Sequence, residues 1–245
     1  KPEPVLATAW KQVTPTQLRL NLRTGVKFHD GSTFSADDAV FSIERAMSKT
    51  SNFGIYAQGI DRVVKVDANT IDIFTKDPNP VLLNQLTELR MMSKAWAEKN
   101  NSTSPKDIKT QDETFAHRNA NGTGPFMLKE WQPDQKIVLV KNAAWWGKSE
   151  GNVTEIVYTP VKAVATRMAA LLSGEVDLVL DPSPQDLPRV RSDASLKVID
   201  GIENRTIFFG MDQFRDELPG SNIKGKNPLK DRRVRQALYQ GIDMS

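Results

Sequence analysis

The chain has no cysteine, which excludes a disulfide framework, thiolate metal sites and a cysteine nucleophile. It has only two histidines, His29 and His117, so a histidine-based metal or catalytic centre has little to draw on. His29 stands beside an Asp30-Gly31 turn and reads as structural. His117 lies in a polar stretch with no second histidine at ligand spacing. No run of about 18 apolar residues occurs, so no helical membrane span is expected. A Gly-x-Ser-x-Gly elbow, a Walker A loop and a Gly-x-Gly-x-x-Gly fingerprint are all missing. The paired carboxylates Asp37 and Asp38 are neighbours on a helix, so they diverge and make no acid/base pair. These gaps argue against an enzyme; an α/β hydrolytic enzyme of unknown substrate is the alternative to be weighed.

What is present is ordinary for a water-soluble globular fold: 245 residues, 39% hydrophobic and 26% charged. The 33 basic and 30 acidic residues leave a net charge of +3, a mixed surface. The basic clusters at residues 224–226 and 230–235 lack interleaved aromatics and any base-reading motif, so no nucleic-acid partner is expected. No secretion signal is visible in the opening residues Lys-Pro-Glu-Pro-Val-Leu-Ala, which says nothing about location if the chain is a fragment of a longer protein.

Leu18, Leu20 and Leu22 alternate with polar residues and predict a half-buried strand. Asp30-Gly31 is a turn of hairpin type. Ser35 with Asp38 three residues on predicts a capped helix with Ala36, Val40, Ile43 and Met47 on one face. Residues 63–66 and 70–74 read as a second hairpin, and Pro80 opens a short helix. Residues 99–121 are polar loop with a short helix. Residues 126–131 and 137–140 form another hairpin, and residues 153–159 a strand. Residues 163–172 form the clearest helix, stopped by Gly174. Residues 176–180 are nearly continuously apolar, the pattern of a strand buried on both faces. A helix near residues 185–190, strands at 196–199 and 206–210, and a helix from Asp231 with Val234, Ala237 and Leu238 inward complete the alternation. The second half is therefore expected to be an α/β layer with a largely buried sheet. Trp145-Trp146 reads either as core packing or as a sugar-stacking platform.

Four segments in order carry a resemblance. They are LRLNLRTGVKFHDGSTF with SADDAVFSIER (residues 18–45), GTGPF (122–126) followed by Trp131 and KNAAWWG, RMAALLSGEVD (167–177), and KDRRVRQALYQGID (230–243). Together they resemble the bacterial extracellular solute-binding proteins, family 5, which serve dipeptide, oligopeptide and nickel ABC importers. The resemblance implies an α/β, periplasmic-binding-protein-like fold of type II, cluster C. Within it, residues 1–121 form a small inserted α+β subdomain of lobe one, and 122–245 an incomplete main subdomain, the second lobe being absent. It also implies noncovalent capture of a peptide or other small solute outside the cytoplasmic membrane, in the periplasm or on an extracytoplasmic lipoprotein. The expected partners are that ligand and the transmembrane subunits of an ABC permease. The protein is expected to act as a monomer without cofactor or metal.

The expected ligand-facing residues follow from the fold so implied. In open α/β sheets ligands meet the carboxyl ends of strands, which points to Asp181 and Ser183 after residues 176–180 and to Asp212 after 206–210. Gly122, Thr123 and Gly124 form a turn where backbone can approach a ligand closely. Each of these reads equally as plain loop geometry. Arg90, after the Pro80 helix, looks like the arginine that faces the carboxylates of bound metal chelates in nickel-transporting relatives. Its other reading is a solvated arginine at a helix C-terminus.

Overall fold

The computed structural model describes residues 2–110, 112–201 and 207–243. The chain divides into two compact units, Lys1–Arg167 and Met168–Ser245.

The first unit begins with two strands, β1 (Ala7–Thr14) and β2 (Gln17–Leu22), followed by helix α1 (Ala36–Met47) and a single turn, α2 (Gly54–Ala57). Strands β3 (Ile60–Asp67) and β4 (Thr70–Thr75) come next, then the short helices α3 (Leu82–Leu86) and α4 (Lys94–Lys99). The four strands form one antiparallel sheet in the order β1-β2-β4-β3. Alternation puts Leu18, Leu20 and Leu22 of β2 and Ile71 and Ile73 of β4 on the face covered by α1, which adds Ala36, Ala39, Ile43 and Ala46. Each leucine or isoleucine side chain so buried contributes about 1.5–3 kcal/mol. The sequence reading contains no strand before residue 17, and β1 shows why. Of its side chains only Ala7 and Trp10 are half buried, so it carries little alternation to detect.

Between β2 and α1 the chain makes the expected hairpin turn. Lys27 bridges Thr33, the Phe28 N–H donates to the Ser32 carbonyl, and Gly31 takes φ 85°, a conformation that excludes most side chains. Helix α1 starts where Ser35 and Asp38 predict. The Asp38 carboxylate accepts from the Ser35 N–H at 2.9 Å and from its hydroxyl at 3.0 Å.

Beyond two 3₁₀ turns (Ile108–Thr110 and Phe115–His117), the first unit ends in a second antiparallel sheet, β5 (Phe126–Gln132), β6 (Lys136–Lys141) and β7 (Glu155–Tyr158), in that order. The expected hairpin turns at Asp134 (φ 57°).

The second unit departs from expectation. Helices α5 (Val164–Ser173), α6 (Leu187–Ser192) and α7 (Arg232–Gln240) form near the predicted positions, and α5 ends at Gly174. The buried strands do not form. Residues 176–180 take no strand conformation, and Leu178 and Leu180 are 70% and 64% exposed. Residues 196–199 and 207–210 are likewise not strands, with Phe208 78% exposed; Thr206, the first residue of that expected strand, lies outside the described residues. The physical reason is that a strand exists only with a ladder partner to take its N–H and C=O groups, and no described backbone offers these segments one. An apolar run states what a segment would bury, not what it pairs with. Nor does α7 turn Val234, Ala237 and Leu238 into a core: Val234 is half buried, and the other two are exposed. Both observed sheets are antiparallel, so the α/β layer expected of residues 122–245 is corrected. The chain as described is of mixed α/β content.

One polar pair stiffens the first sheet. Asp72, on the face of β4 away from α1, is buried and sits directly across from Arg19 of β2. The guanidinium donates to it twice, Nε to Oδ1 and Nη2 to Oδ2, both at 2.7 Å, and Gln17 Nε2 donates at 2.8 Å. The Arg19 hydrogen bonds hold the Asp72 carboxyl below its ordinary range against the opposing effect of burial. A depressed folded pKa means that the unfolded chain binds the proton more readily, so this stabilisation is complete at neutral pH. It fades as pH falls below about 4 and through the lower folded value. Asp72→Asn is therefore expected to cost about 1.5–3 kcal/mol at pH 7 in denaturant unfolding. The difference from wild type should shrink as the pH is lowered to about 3. An equal cost at both pH values would contradict this assignment.

Candidate functional site

A cleft of about 330 Å³ opens in the first unit, within the size range of small-molecule sites. Three walls make it. Helix α1 supplies Ser42, Arg45 and Ala46; the segment after α3 supplies Leu89, Arg90, Met91 and Met92; the segment before β5 supplies residues 119–122. Phe53 and Trp96 close the sides.

Two sets of hydrogen bonds hold the loop walls. The first comes from two buried polar residues of α1, Asp38 and Ser42. The Met92 N–H donates to the Ser42 hydroxyl oxygen at 2.8 Å, and that hydroxyl lies 2.7 Å from the Asp38 carbonyl and 3.2 Å from the Met92 carbonyl. The Lys94 N–H donates to Asp38 Oδ1 at 2.9 Å. Asp38 thus caps α1 with one carboxylate oxygen and fixes the start of α4 with the other.

The second set comes from the His29-Asp30 turn. The His29 N–H donates to the Gly122 carbonyl at 2.8 Å, and the Gly122 N–H donates to His29 Nδ1 at 3.2 Å. Because Nδ1 accepts, Nε2 carries the proton and donates to the Gly124 carbonyl at 3.1 Å. Asp30 and Asn121 exchange a further pair: the Asp30 N–H to Asn121 Oδ1 at 3.1 Å, and Asn121 Nδ2 to Asp30 Oδ2 at 2.9 Å. Burial alone would raise the Asp30 carboxyl, but hydrogen bonds from Ser32 and Asn121 outweigh it and hold it below the usual range. A Cβ on Gly122 would stand 3.3 Å from His29 Cε1, so glycine is what lets the two segments approach this closely.

Of the residues singled out from the sequence, Arg90 and Gly122 line this one cleft. Arg90 is exposed, its Nη1 donating to the Thr87 carbonyl at 2.6 Å. The neighbouring carbonyls turn inward: Thr123 accepts from Trp146 Nε1 at 3.0 Å, and Gly124 from Asn142 Nδ2 at 3.1 Å as well as from His29. Trp146 packs on the core, with Arg23 over its ring at 4.5 Å, so the tryptophan pair is not laid open as a stacking platform. Asp181, Ser183 and Asp212 belong to the second unit. Asp181 is an exposed turn residue at φ 50°, and Ser183 precedes a 3₁₀ turn, Pro184–Asp186. The Asp212 carboxylate is occupied locally by the N–H groups of Arg215 and Phe214 and by the Arg215 guanidinium, which keep it below its usual range. The strand ends from which these three residues were inferred do not exist as strands.

Sequence reasoning missed Ser42, Arg45, Phe53, Met91, Met92 and Trp96 as cleft residues. On sequence alone Arg45 is only a cation in the last turn of a helix, where the helix dipole welcomes it. Met91 and Met92 belong to no motif that would mark them. Nothing local says that these segments, far apart in the chain, meet. Among the described residues no group of three or more His, Asp or Glu side chains converges as a metal site, and no helix is long and apolar enough to cross a membrane.

Across residues 1–245 the chain belongs to the bacterial extracellular solute-binding proteins, family 5. It is 26% identical over 250 residues to the dipeptide-binding protein of Escherichia coli, which covers 91% of this chain and 42% of that protein. Among solved structures it resembles the periplasmic binding protein DppA of Helicobacter pylori in complex with the peptide STSA. That match has 28% identity and a TM-score of 0.64, covering 78% of this chain and 40% of the other. NikZ of Campylobacter jejuni in complex with Ni(L-His) shares the fold over 98% of this chain and 45% of its own, with a TM-score of 0.75 and 23% identity. The chain thus spans less than half the length of each.

The pinning by His29 has a direct consequence. His29→Ala removes both ring hydrogen bonds and leaves the Gly122 N–H without its acceptor, a loss of about 1–3 kcal/mol. In hydrogen exchange, the Gly122 amide is expected to exchange about tenfold faster or more, and Leu20 in β2 only as fast as global stability dictates. Unchanged exchange at Gly122 would show that the imidazole does not hold this wall.

Proposed function

We propose that this chain is the ligand-capturing part of the solute-binding component of an ABC importer. It takes up a peptide or other small solute outside the cytoplasmic membrane, in the periplasm or on an extracytoplasmic lipoprotein, and delivers it to the permease transmembrane subunits. The observation that carries the reading is the family match across residues 1–245. The relatives' names, a dipeptide-binding protein and a periplasmic binding protein holding a peptide, support a peptide-like solute.

The cleft supports it further. It is concave, walled largely by apolar side chains and furnished with a few directed donors, the usual composition of a small-molecule site. In this reading residues 1–121 are the small subdomain of the first lobe and residues 122–245 part of its main subdomain. More than half of each relative lies outside the matched span, which leaves room for a facing lobe that closes over the ligand by a hinge. Arg90 grips a ligand carboxylate by paired hydrogen bonds, and Gly122, with Thr123 and Gly124 behind it, lets backbone come close. Capture is noncovalent and the protein acts as a monomer, without cofactor or metal. A hydrolytic reading gains nothing from His29, which spends both ring nitrogens on backbone groups of residues 122 and 124.

The direct test is mass spectrometry of small molecules released from the protein purified from its native host, followed by titration of whatever is found. A peptide or comparable solute should be recovered, and Arg90→Ala should weaken its binding by about tenfold or more, the worth of a charge-assisted hydrogen bond. Recovery of nothing, together with no rise in Tm from a peptide panel, would overturn the transport reading.

A further inference from the structure

Among the described residues, Arg45 is a cation without a counter-charge. It leaves the last turn of α1 and enters the cleft half buried. Its Nε donates to the Ser102 carbonyl at 3.3 Å, which fixes the plane of the guanidinium. Among the described residues, no group accepts from its Nη1 or Nη2 and no carboxylate pairs with it. Arg19 makes the contrast, since Asp72 meets it with two hydrogen bonds and raises its pKa. Burial alone acts on Arg45, and it pushes the pKa down. The group stays charged all the same, because no protein environment deprotonates a guanidinium near neutral pH.

The rest of the cleft repeats the asymmetry. Arg90 is a second cation, bonded only to the Thr87 carbonyl among the described residues, and no acidic residue lines the cavity. The Asn121 side chain is spent on Asp30. Apart from the neutral Ser42, Ser51 and Asn119, what remains is apolar, chiefly Phe53, Leu89, Met91, Met92 and Trp96. A partly desolvated cation without a partner is costly, and an anionic ligand offsets that cost. The planar fork of a guanidinium matches a carboxylate.

We infer that Arg45, with Arg90, holds the acidic end of the ligand, a small carboxylate-bearing molecule whose apolar or aromatic body lies against Phe53, Met91, Met92 and Trp96. The inference rests on the solute-binding reading and adds to it a ligand class and a second recognition residue. Methionine and tryptophan suit such a body because a thioether adapts its shape and an indole offers a flat face. Selectivity then comes from charge at one end and tolerance from soft packing at the other.

Calorimetric titration of the protein purified from its native host, stripped of ligand, tests this with matched pairs. These are the dipeptide Ala-Phe against its C-terminal amide, and phenylacetate against phenylacetamide. Each acid is expected to bind about tenfold or more tightly than its amide, the worth of one charge-assisted contact. Arg45→Gln should reduce that ratio towards one by weakening the acid and leaving the amide unchanged. Arg45→Lys keeps the charge, loses the fork and should fall between. If Arg45→Gln does not fold, the wild-type ratio and the lysine variant decide. Equal binding of acid and amide by wild type, or a ratio that neither variant changes, overturns the inference and leaves the transport reading standing. If no member of either pair binds wild type, the inference falls as well. The transport reading is then judged separately, by the solute recovered from the native host.

Discussion

A loop that forms the wall of a cleft must place its backbone donors somewhere, and here the polar positions of one helix receive them. Asp38 and Ser42 lie on α1, 7% and 6% exposed, and take the N–H groups of Lys94 and Met92. A buried carboxylate or hydroxyl is costly when unpaired and restrictive when paired, since few arrangements satisfy it. The segment from Leu89 to Met92 is therefore held against α1 by hydrogen bonds of defined direction, where apolar packing alone would let it slide. The His29-Asp30 turn does the same for residues 121–124. The hydrophobic core then has a simpler task, to hold α1 and that turn on the four-stranded sheet.

This division of labour gives the cleft its character. The polar groups that build the walls are consumed in building them: Asn121 by Asp30, the Thr123 and Gly124 carbonyls by Trp146, Asn142 and His29. The charged groups that face the cavity are the guanidinium groups of Arg45 and Arg90, set among thioether and aromatic surface. A site of this composition discriminates by charge at one end and accommodates shape at the other.

The sequence disclosed what is local. Alternation at Leu18, Leu20 and Leu22, the Asp30-Gly31 turn, the Ser35–Asp38 cap and the Gly174 stop each correspond to an observed feature, because each expresses an interaction within a few residues. It was silent where partners are distant. β1 buries too little to show a period. Residues 176–180 and 207–210 have the composition of buried strands but no described backbone to pair with, so composition misled. Arg90 and Gly122 could be singled out through family resemblance. Arg45 could not, since its setting depends on Ser102, Met92 and Asn119, which lie 47 or more residues further along the chain.

The central claim is that the cleft between α1, residues 89–92 and residues 119–122 is where the solute is held. A crystal structure of the protein purified from its native host with its solute retained tests this most directly. The account predicts that solute in the cleft, with an acidic oxygen within hydrogen-bonding distance of the Arg45 or Arg90 guanidinium and apolar atoms against Met92 and Trp96. A solute bound elsewhere, with only water between Arg45 and Arg90, would contradict it.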